Sequence, residues 1–324
     1  MISRRSWIAA AGLFSVGAAY PLLKPRTRQT TLRVGRTGKG NYDLIIKAAK
    51  LIPTNLRVQY ADFQSGHLQV EALNGGSLDF GGMSEIPPVF AAASSIQSFR
   101  QIATVNADVN NQVVLVPRGS GIQSLADLKG KRVGYVRATT SQYFLIRMLQ
   151  SVGLGWGDIE PVSLNVSDGA AAFSAGSLDA WAIYGFPIQR ALAVDGARVL
   201  KTALGILSGN YIVSAHVDAL KDPELRGAIG EYLQVYKRAF AWQQQHWDEY
   251  AVLLAKEIDV PLKYAQDQIA NRSGPTTLLP VSETSIKSQQ EVADVFFDAG
   301  LIPKRVDVRP LWDDSFNAVI EGRA

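Results

Sequence analysis

One short phrase of sequence occurs twice in the chain, since residues 76–79 and residues 176–179 both read Gly-Ser-Leu-Asp. Each copy follows a segment whose apolar residues have helical spacing and precedes a short apolar run typical of a β-strand. Glycine suits the end of a helix because it adopts positive φ angles without steric cost. The same order of elements around both copies therefore predicts two similar α/β units in this chain of 324 residues.

Strand-like and helix-like segments alternate from residue 30 onward. In the first unit the predicted strands are 32–35, 56–60 and 78–81, and the predicted helices are 41–51, 68–73 and 87–93. After an apolar run at 113–116, the second unit has predicted strands at 131–136 and 180–184 and predicted helices at 124–128, 141–152, 170–174 and 187–194. Such alternation is typical of βαβ units, in which a mixed, mostly parallel sheet is flanked by helices.

The chain then returns toward the first unit through residues 210–214 and ends in long predicted helices at 223–247, 247–256, 262–269 and 283–299. We expect residues 30–117 and 213–324 to form a first lobe with C-terminal helices, and residues 118–212 to form a second lobe. The chain would cross between the lobes near residues 115–120 and 207–215. Two lobes linked by more than one crossing form a hinged clamp that can close around a ligand.

Residues 1–29 are typical of an export signal, because Arg4 and Arg5 precede an apolar run and small residues near 17–19. The arginine pair, with a serine before it, resembles a twin-arginine signal, although the lysine common in that pattern is missing and the general secretory route stays open. A single membrane anchor is the alternative, but the run is short and is interrupted by glycine and proline. We therefore expect an exported, periplasmic protein.

The charge of the chain argues against a nucleic-acid partner. The formal net charge is +4, but residues 1–29 hold five basic side chains and no acidic one, which leaves 28 basic against 29 acidic side chains in the remainder. A body this close to neutrality is unlike a nucleic-acid-binding face. No cysteine is present, and the three histidines lack metal-ligand spacing. We expect no catalytic residue, no metal and no cofactor.

Ligands of open α/β sheets bind beyond the carboxyl ends of the strands, where the following helices begin. A helix start offers unpaired N–H donors and a positive dipole end, so it can hold an anion without a lysine or arginine. Four strand-to-helix turns qualify here, and Arg36 in the first is interpreted either as an anion partner or as a surface charge. We predict these ligand-binding residues: Arg36, Thr37, Gly38, Gly82, Met83, Ser84, Thr139, Thr140, Ser141, Tyr184, Gly185 and Tyr211.

Several blocks of sequence, in order along the chain, resemble one family. They are residues 73–81 (LNGGSLDFG), 85–91 (EIPPVFA), 115–117 (LVP), 124–133 (SLADLKGKRV), 172–181 (AFSAGSLDAW) and 299–304 (AGLIPK). These blocks are similar to the aliphatic-sulfonate and taurine-binding components of ABC importers. The resemblance implies a type II periplasmic-binding-protein fold, a sulfonate held between the lobes, delivery to an inner-membrane permease, and a monomer.

The predicted ligand loops are where the chain departs from that family. The family often has an aromatic residue or glutamine where Arg36 and Thr37 stand, and Thr-Gly-Glu-Thr where residues 83–86 read Met-Ser-Glu-Ile. Nitrate, bicarbonate, a sulfate ester or a pyrimidine therefore remain alternative ligands. An enzyme on the same scaffold is a further alternative, but the aromatic sulfinate desulfinases use a cysteine, and a thiamin-pyrimidine synthase relative would need a site rich in histidine and cysteine.

Overall fold

The computed structural model describes residues 29–37, 42–53, 55–94 and 97–323. The predicted export segment therefore lies, apart from Gln29, outside the described residues. The strands are β1 Thr30–Thr37, β2 Leu56–Phe63, β3 Phe80–Ser84, β4 Phe99–Asn106, β5 Gln112–Val116, β6 Arg132–Tyr135, β7 Glu160–Ser163, β8 Ala180–Tyr184, β9 Arg198–Thr202, β10 Asn210–His216 and β11 Thr277–Leu279. The α-helices are α1 Tyr42–Ala48, α2 Gly66–Asn74, α3 Ile86–Ser94, α4 Thr140–Gln150, α5 Val166–Ser174, α6 Pro187–Ala193, α7 Val217–Lys221, α8 Pro223–Gln245, α9 Trp247–Ile258, α10 Leu262–Ala270, α11 Glu283–Asp298 and α12 Asn317–Glu321.

The strands form two sheets, one in each lobe, so the predicted two-lobed α/β fold is confirmed. The first sheet has the strand order β11-β4-β10-β3-β1-β2, and the second has the order β7-β6-β8-β5-β9. Parallel pairs join β1 to β2 and β3, and β6 to β7 and β8. Antiparallel pairs join β10 to β3 and β4, β11 to β4, and β5 to β8 and β9. The sheets are mixed, as predicted, but not mostly parallel, because β5 and β10 enter directly from the other lobe without a crossover helix.

The first chain crossing lies earlier than predicted. Strand β5 pairs with β8 and β9 of the second sheet, so the chain leaves the first lobe within residues 107–111 rather than near 115–120. The return lies within residues 203–209, because β10 from residue 210 already pairs with β3 and β4. The strand pairing thus moves residues 112–117 into the second lobe and 210–212 into the first. The apolar run at 113–116 gave no indication of the sheet it joins, since either sheet would bury it.

The repeated Gly-Ser-Leu-Asp phrase forms the same structure in both lobes. Its two glycines, both with a φ of 70°, lie at the ends of α2 and α5. The Asp79 carboxylate accepts the backbone N–H of Arg33 on β1 at 2.8 Å, and Asp179 accepts the N–H of Arg132 on β6 at the same distance. Each copy therefore ends a helix and fastens the following segment to a neighbouring strand.

The C-terminal helices pack mainly on the first lobe but also reach the second. Tyr232 of α8 is fully buried, and its ring packs edge-on against Phe80 of β3 with the ring centroids 5.3 Å apart. Helix α11 places Phe296 in a core that includes Val89 of α3 and Ile146 of α4. Because α3 belongs to the first lobe and α4 to the second, α11 bridges the two.

Within the described ranges, no helix combines the length and hydropathy needed to cross a membrane.

Candidate functional site: an uncharged cleft between the lobes

A cavity of about 210 Å³, the cleft cavity, lies between the lobes at the carboxyl ends of β1, β3 and β8. Its lining residues are Thr37, Tyr42, Gly66, Gly82, Met83, Ser84, Pro87, Val105, Thr139, Thr140, Tyr184, Tyr211, Ile212 and Val213. None of these lining residues has a charged side chain. A ligand in the cleft cavity would therefore be held by neutral donors and by apolar contact.

Two helices from opposite lobes begin at the cleft cavity. Helix α2 of the first lobe starts at Gly66, and helix α4 of the second lobe starts at Thr140. The first N–H groups of an α-helix have no partner within the helix, and the aligned peptide dipoles make this end positive. An oxyanion between the two helix starts would receive donors from both lobes. The start of α4 is one of the predicted turns, whereas the start of α2 was not among them.

The predicted hydroxyls at the start of α4 have different roles. Ser141 is fully buried, and its Oγ accepts the Val136 N–H at 3.0 Å, so it holds the turn and does not line the cavity. Thr139 Oγ1 donates to the Val136 carbonyl at 2.7 Å. The Thr140 hydroxyl has no partner among the described residues and lines the cavity. Of the three predicted hydroxyls, that of Thr140 is therefore the one free to contact a ligand.

Three tyrosines, Tyr42, Tyr184 and Tyr211, also line the cleft cavity. Burial raises the pKa of Tyr184 to about 12, against a smaller lowering by its hydrogen bond with Thr139. Burial also raises the pKa values of Tyr42 and Tyr211 above the ordinary range. The phenols therefore remain protonated at neutral pH and can donate hydrogen bonds to an anion.

Arg36 does not line the cleft cavity. Its guanidinium donates to Asp43 at 2.6 Å and forms a bidentate pair with Asp62. The hydrogen bond from Arg36 lowers the pKa of the Asp62 carboxyl. Since both carboxylates neutralise the guanidinium, the structure favours an ion-paired arginine over an anion partner. Of the other predicted ligand-binding residues, Thr37, Gly82, Met83 and Ser84 line the cleft cavity and Gly185 lines the neighbouring cavity, while Gly38 lies outside the described residues.

Sequence reasoning missed several lining residues. Tyr42, Gly66 and Pro87 each stand at the first or second position of a helix. The rule that ligands lie at helix starts, applied to every strand-to-helix turn, would have found them. Val105 and the adjoining apolar residues of β10 had no such signal, because alternation does not say which face of a strand meets a cavity.

The described residues hold no cluster of three or more His, Asp or Glu side chains that could bind a metal ion. Among the histidines, His67 is exposed, and its Nε2 lies 3.1 Å from the Glu71 carboxylate on the same helix. It does not line the cleft cavity.

Two α/β lobes, joined by two crossings around a cleft with helix starts from both lobes and no charged side chain among its described lining residues, define a two-lobed solute-binding protein. Residues 54–246 match the family model described as NMT1/THI5 like. An Escherichia coli (strain K12) protein described as an aliphatic sulfonates-binding protein is 32% identical over 311 residues, covering 94% of this chain and 95% of the relative. A Bacillus subtilis (strain 168) protein with the same description is 28% identical over 81% of this chain and 77% of its own length. The chain thus belongs to the NMT1/THI5-like family and, within it, to the aliphatic sulfonate-binding proteins.

Solved structures agree with this assignment. The alkanesulfonate-binding protein SsuA from Xanthomonas axonopodis pv. citri, bound to MOPS, superimposes with a TM-score of 0.80 at 29% identity, covering 87% of this chain and 98% of that structure. SsuA from Escherichia coli gives a TM-score of 0.78 at 30% identity, covering 88% and 92%. The desulfurization enzyme DszB, in complex with biphenyl-2-sulfinic acid, gives 0.67 at 15% identity and therefore shares the fold alone.

Proposed function

We propose that this protein is the exported binding component of an ABC importer and captures a small organic sulfonate in the cleft cavity. The observation that carries the proposal is a cavity flanked by the starts of α2 and α4 from opposite lobes, whose described lining residues include no charged side chain. The relatives that share about 30% identity are described as sulfonate-binding proteins, which supports a sulfonate over nitrate, bicarbonate, a sulfate ester or a pyrimidine.

The cleft suits a sulfonate because its three oxygens spread one negative charge over several hydrogen bonds. The N–H groups at both helix starts, the Thr140 hydroxyl and the tyrosine hydroxyls supply donors that need no ionised partner. Binding such a group through both walls favours the closed arrangement of the lobes, since an open clamp loses the donors of one lobe. Release to a permease would then need the lobes to separate.

The remaining features of the proposal follow from the leader and the relatives. The Escherichia coli SsuA structure is described as periplasmic, and residues 1–29 have the pattern of an export signal resembling the twin-arginine type. We infer a periplasmic monomer that docks on an inner-membrane permease. Catalysis is disfavoured because the relatives near 30% identity are binding proteins, whereas the enzyme DszB is a distant neighbour.

A ligand-dependent stability screen tests the proposal. The chain without residues 1–29 is heated with taurine, short alkanesulfonates, aryl sulfonates, sulfate esters, nitrate and bicarbonate. A true ligand at a hundredfold excess over its Kd stabilises the fold by about 2.7 kcal/mol. We expect sulfonates to raise the Tm and Thr140→Val to reduce their effect, while Thr31→Val on β1, away from the cleft cavity, leaves it unchanged. A shift with nitrate or bicarbonate and none with any sulfonate would refute the sulfonate assignment.

A further inference from the structure

A second cavity of about 300 Å³, the rear cavity, adjoins the cleft cavity on the side of the first chain crossing. The two cavities share Tyr42, Tyr184 and Tyr211 as lining residues. The rear cavity extends from these tyrosines to helices α8, α9 and α10. A sulfonate bound in the cleft cavity could therefore place its carbon chain between the tyrosines and reach the rear cavity.

Three glutamines that line the rear cavity have amide oxygens without a partner. They are Gln112, Gln243 and Gln268, and the Oε1 atom of each is buried and accepts no hydrogen bond within the described part of the chain. Gln112 and Gln243 are buried residues, only 3% and 4% exposed. The amide nitrogen of Gln112 already donates to the Tyr211 hydroxyl at 3.2 Å, at the wall between the cavities. Buried acceptors of this kind are costly unless a donor reaches them.

A guanidinium without a carboxylate partner lines the same cavity. Arg272 stacks over the Trp247 ring, with its Cζ 3.3 Å from the ring centroid, and its Nε donates to the Ile269 carbonyl at 3.2 Å. It forms no ion pair with a carboxylate of the described residues, but the Asp108 carboxylate lines the same cavity and attracts it, which opposes the lowering of its pKa by burial. Its other N–H groups are therefore donors that a polar ligand could meet.

The unpaired amide oxygens and the charged groups of the rear cavity favour some chemical groups on the ligand over others. An alkyl tail would leave the three amide oxygens and the Arg272 guanidinium without a ligand partner. The described lining residues include one cation, Arg272, and one anion, Asp108, so an ammonium tail would lie near the first and a carboxylate tail near the second. A carboxylate also has no proton for the amide oxygens. A hydroxyl donates one hydrogen bond and accepts others, so it satisfies both kinds of group.

We propose that the rear cavity receives the hydroxylated tail of the ligand, so that the preferred ligands are sulfonates with hydroxyl groups distal to the sulfonate. This inference rests on the proposed sulfonate function, since the sulfonate anchors the molecule in the cleft cavity. Each hydroxyl that satisfies a buried amide oxygen should improve affinity by about tenfold over the matching alkyl compound.

Calorimetric titration with matched ligands tests this inference. Butanesulfonate and hexanesulfonate are compared with their terminal alcohols, terminal amines and terminal carboxylates on the protein without residues 1–29. We expect the alcohols to bind about tenfold more tightly than the other three classes. Equal affinity of alcohol and alkyl compounds, or tightest binding of an amine or carboxylate, would overturn the inference while leaving sulfonate binding intact. Absence of binding by every sulfonate would instead refute the proposed function.

A pair of variants on one helix localises the effect. Gln268→Leu keeps the size of the side chain but removes one unpaired acceptor of the rear cavity, so the preference for the alcohols should fall severalfold while alkanesulfonate affinity is kept. The exposed Gln266 on the same helix provides the matched control, and Gln266→Leu should keep the full preference. An unchanged preference for the alcohols in Gln268→Leu would exclude this glutamine from the tail site. The ligand series on the wild-type protein tests the inference even if a variant does not fold.

Discussion

At the scale of single residues, the side chains that sequence singled out for their chemistry divide between ligand contact and support of the site. Thr140 lines the cleft cavity, whereas the Ser141 hydroxyl hydrogen-bonds to the backbone of the turn before α4. Ala138 in the same turn has a φ of 55°, a conformation that non-glycine residues rarely adopt, and its N–H donates to Gln142 at 2.7 Å. The turn is therefore held in shape by its own side chains, which leaves the helix start directed at the cavity.

Arg36 provides a prediction at this scale. Because its guanidinium pairs with Asp43 and Asp62 outside the cleft cavity, Arg36→Gln should change the Kd for a sulfonate by less than about threefold. The free energy of unfolding should fall by about 1–3 kcal/mol, since the Asp43 carboxylate, only 8% exposed, would lose one of its two ion-pair partners among the described residues and keep Lys47.

Isothermal titration and urea unfolding measure the two effects of this substitution. Arg57→Gln is the control, because Arg57 is exposed on the neighbouring strand β2 and should affect neither quantity. A tenfold loss of affinity in Arg36→Gln would show that the arginine leaves its carboxylates to bind the anion.

At the scale of secondary-structure elements, the cleft depends on how closely α2, β3 and α3 approach one another. Gly66 at the start of α2 lies so near to β3 that a Cβ there would be 2.9 Å from Met83 Cβ and 3.1 Å from Pro87 Cγ. The Met83 Cβ is fixed to its backbone and cannot move away as the end of a flexible side chain would. The absence of a side chain at residue 66 therefore brings two helix starts of the first lobe to one cavity.

Gly66→Ala should separate these elements. We expect a loss of about 1–3 kcal/mol in the free energy of unfolding, as for other overpacked sites, and weaker sulfonate binding because the start of α2 moves away from the anion. Gly227→Ala on α8 is the matched control, since no atom lies within 4 Å of its added Cβ and the change should stabilise the helix by about 0.5–1 kcal/mol. Chemical unfolding and titration compare the two, and unchanged binding in Gly66→Ala would remove α2 from the anion site.

At the scale of the whole molecule, Glu85 joins three separate parts of the chain. This glutamate, only 3% exposed, follows β3 of the first lobe. Its carboxyl accepts from Ser208 in the second chain crossing at 2.7 Å and from Ser288 on α11 at 2.9 Å. Burial raises the pKa of Glu85 from 4.5 to about 7, although the hydrogen bonds from the serines oppose the shift. The protonation of one carboxyl is thus linked to the crossing between the lobes.

The raised pKa of Glu85 predicts a pH dependence of stability. The folded protein holds this proton more tightly than the unfolded chain does, so the contribution to stability is fully present below about pH 4.5 and is lost as the pH rises through about 7. Between pH 5 and pH 8 the loss from this group should be about 2–3 kcal/mol.

Urea unfolding at both pH values compares wild type with Glu85→Gln, which cannot ionise and should lack this part of the decline. Glu160→Gln, at an exposed position on β7, should decline with pH as the wild type does. The same pH dependence in Glu85→Gln and wild type would assign the decline to other groups.

Local patterns predicted the elements, the two lobes and much of the cleft, but long-range pairing decided the rest. The repeated Gly-Ser-Leu-Asp phrase correctly predicted two similar lobes, because its hydrogen bonds, such as that of Asp79 with the Arg33 N–H, join neighbouring strands of the same lobe. Strand β5 was predicted in the first lobe but pairs in the second sheet, because an apolar run is buried equally well in either sheet. Arg36 could not be judged from sequence, since Asp62, the partner that neutralises it, comes from the adjacent strand β2.

By itself, the sequence determined that this protein has two α/β lobes, and it predicted an anion site at their strand-to-helix turns, because helix starts and strand periodicity are local properties. Only the tertiary structure decided which hydroxyls face the cleft, that none of its described lining residues is charged, and that glutamines with unpaired amide oxygens line a cavity behind it. These features depend on which side chains distant segments bring together across the interface between the lobes. Burial and hydrogen-bond satisfaction are set there by the packing of the whole chain.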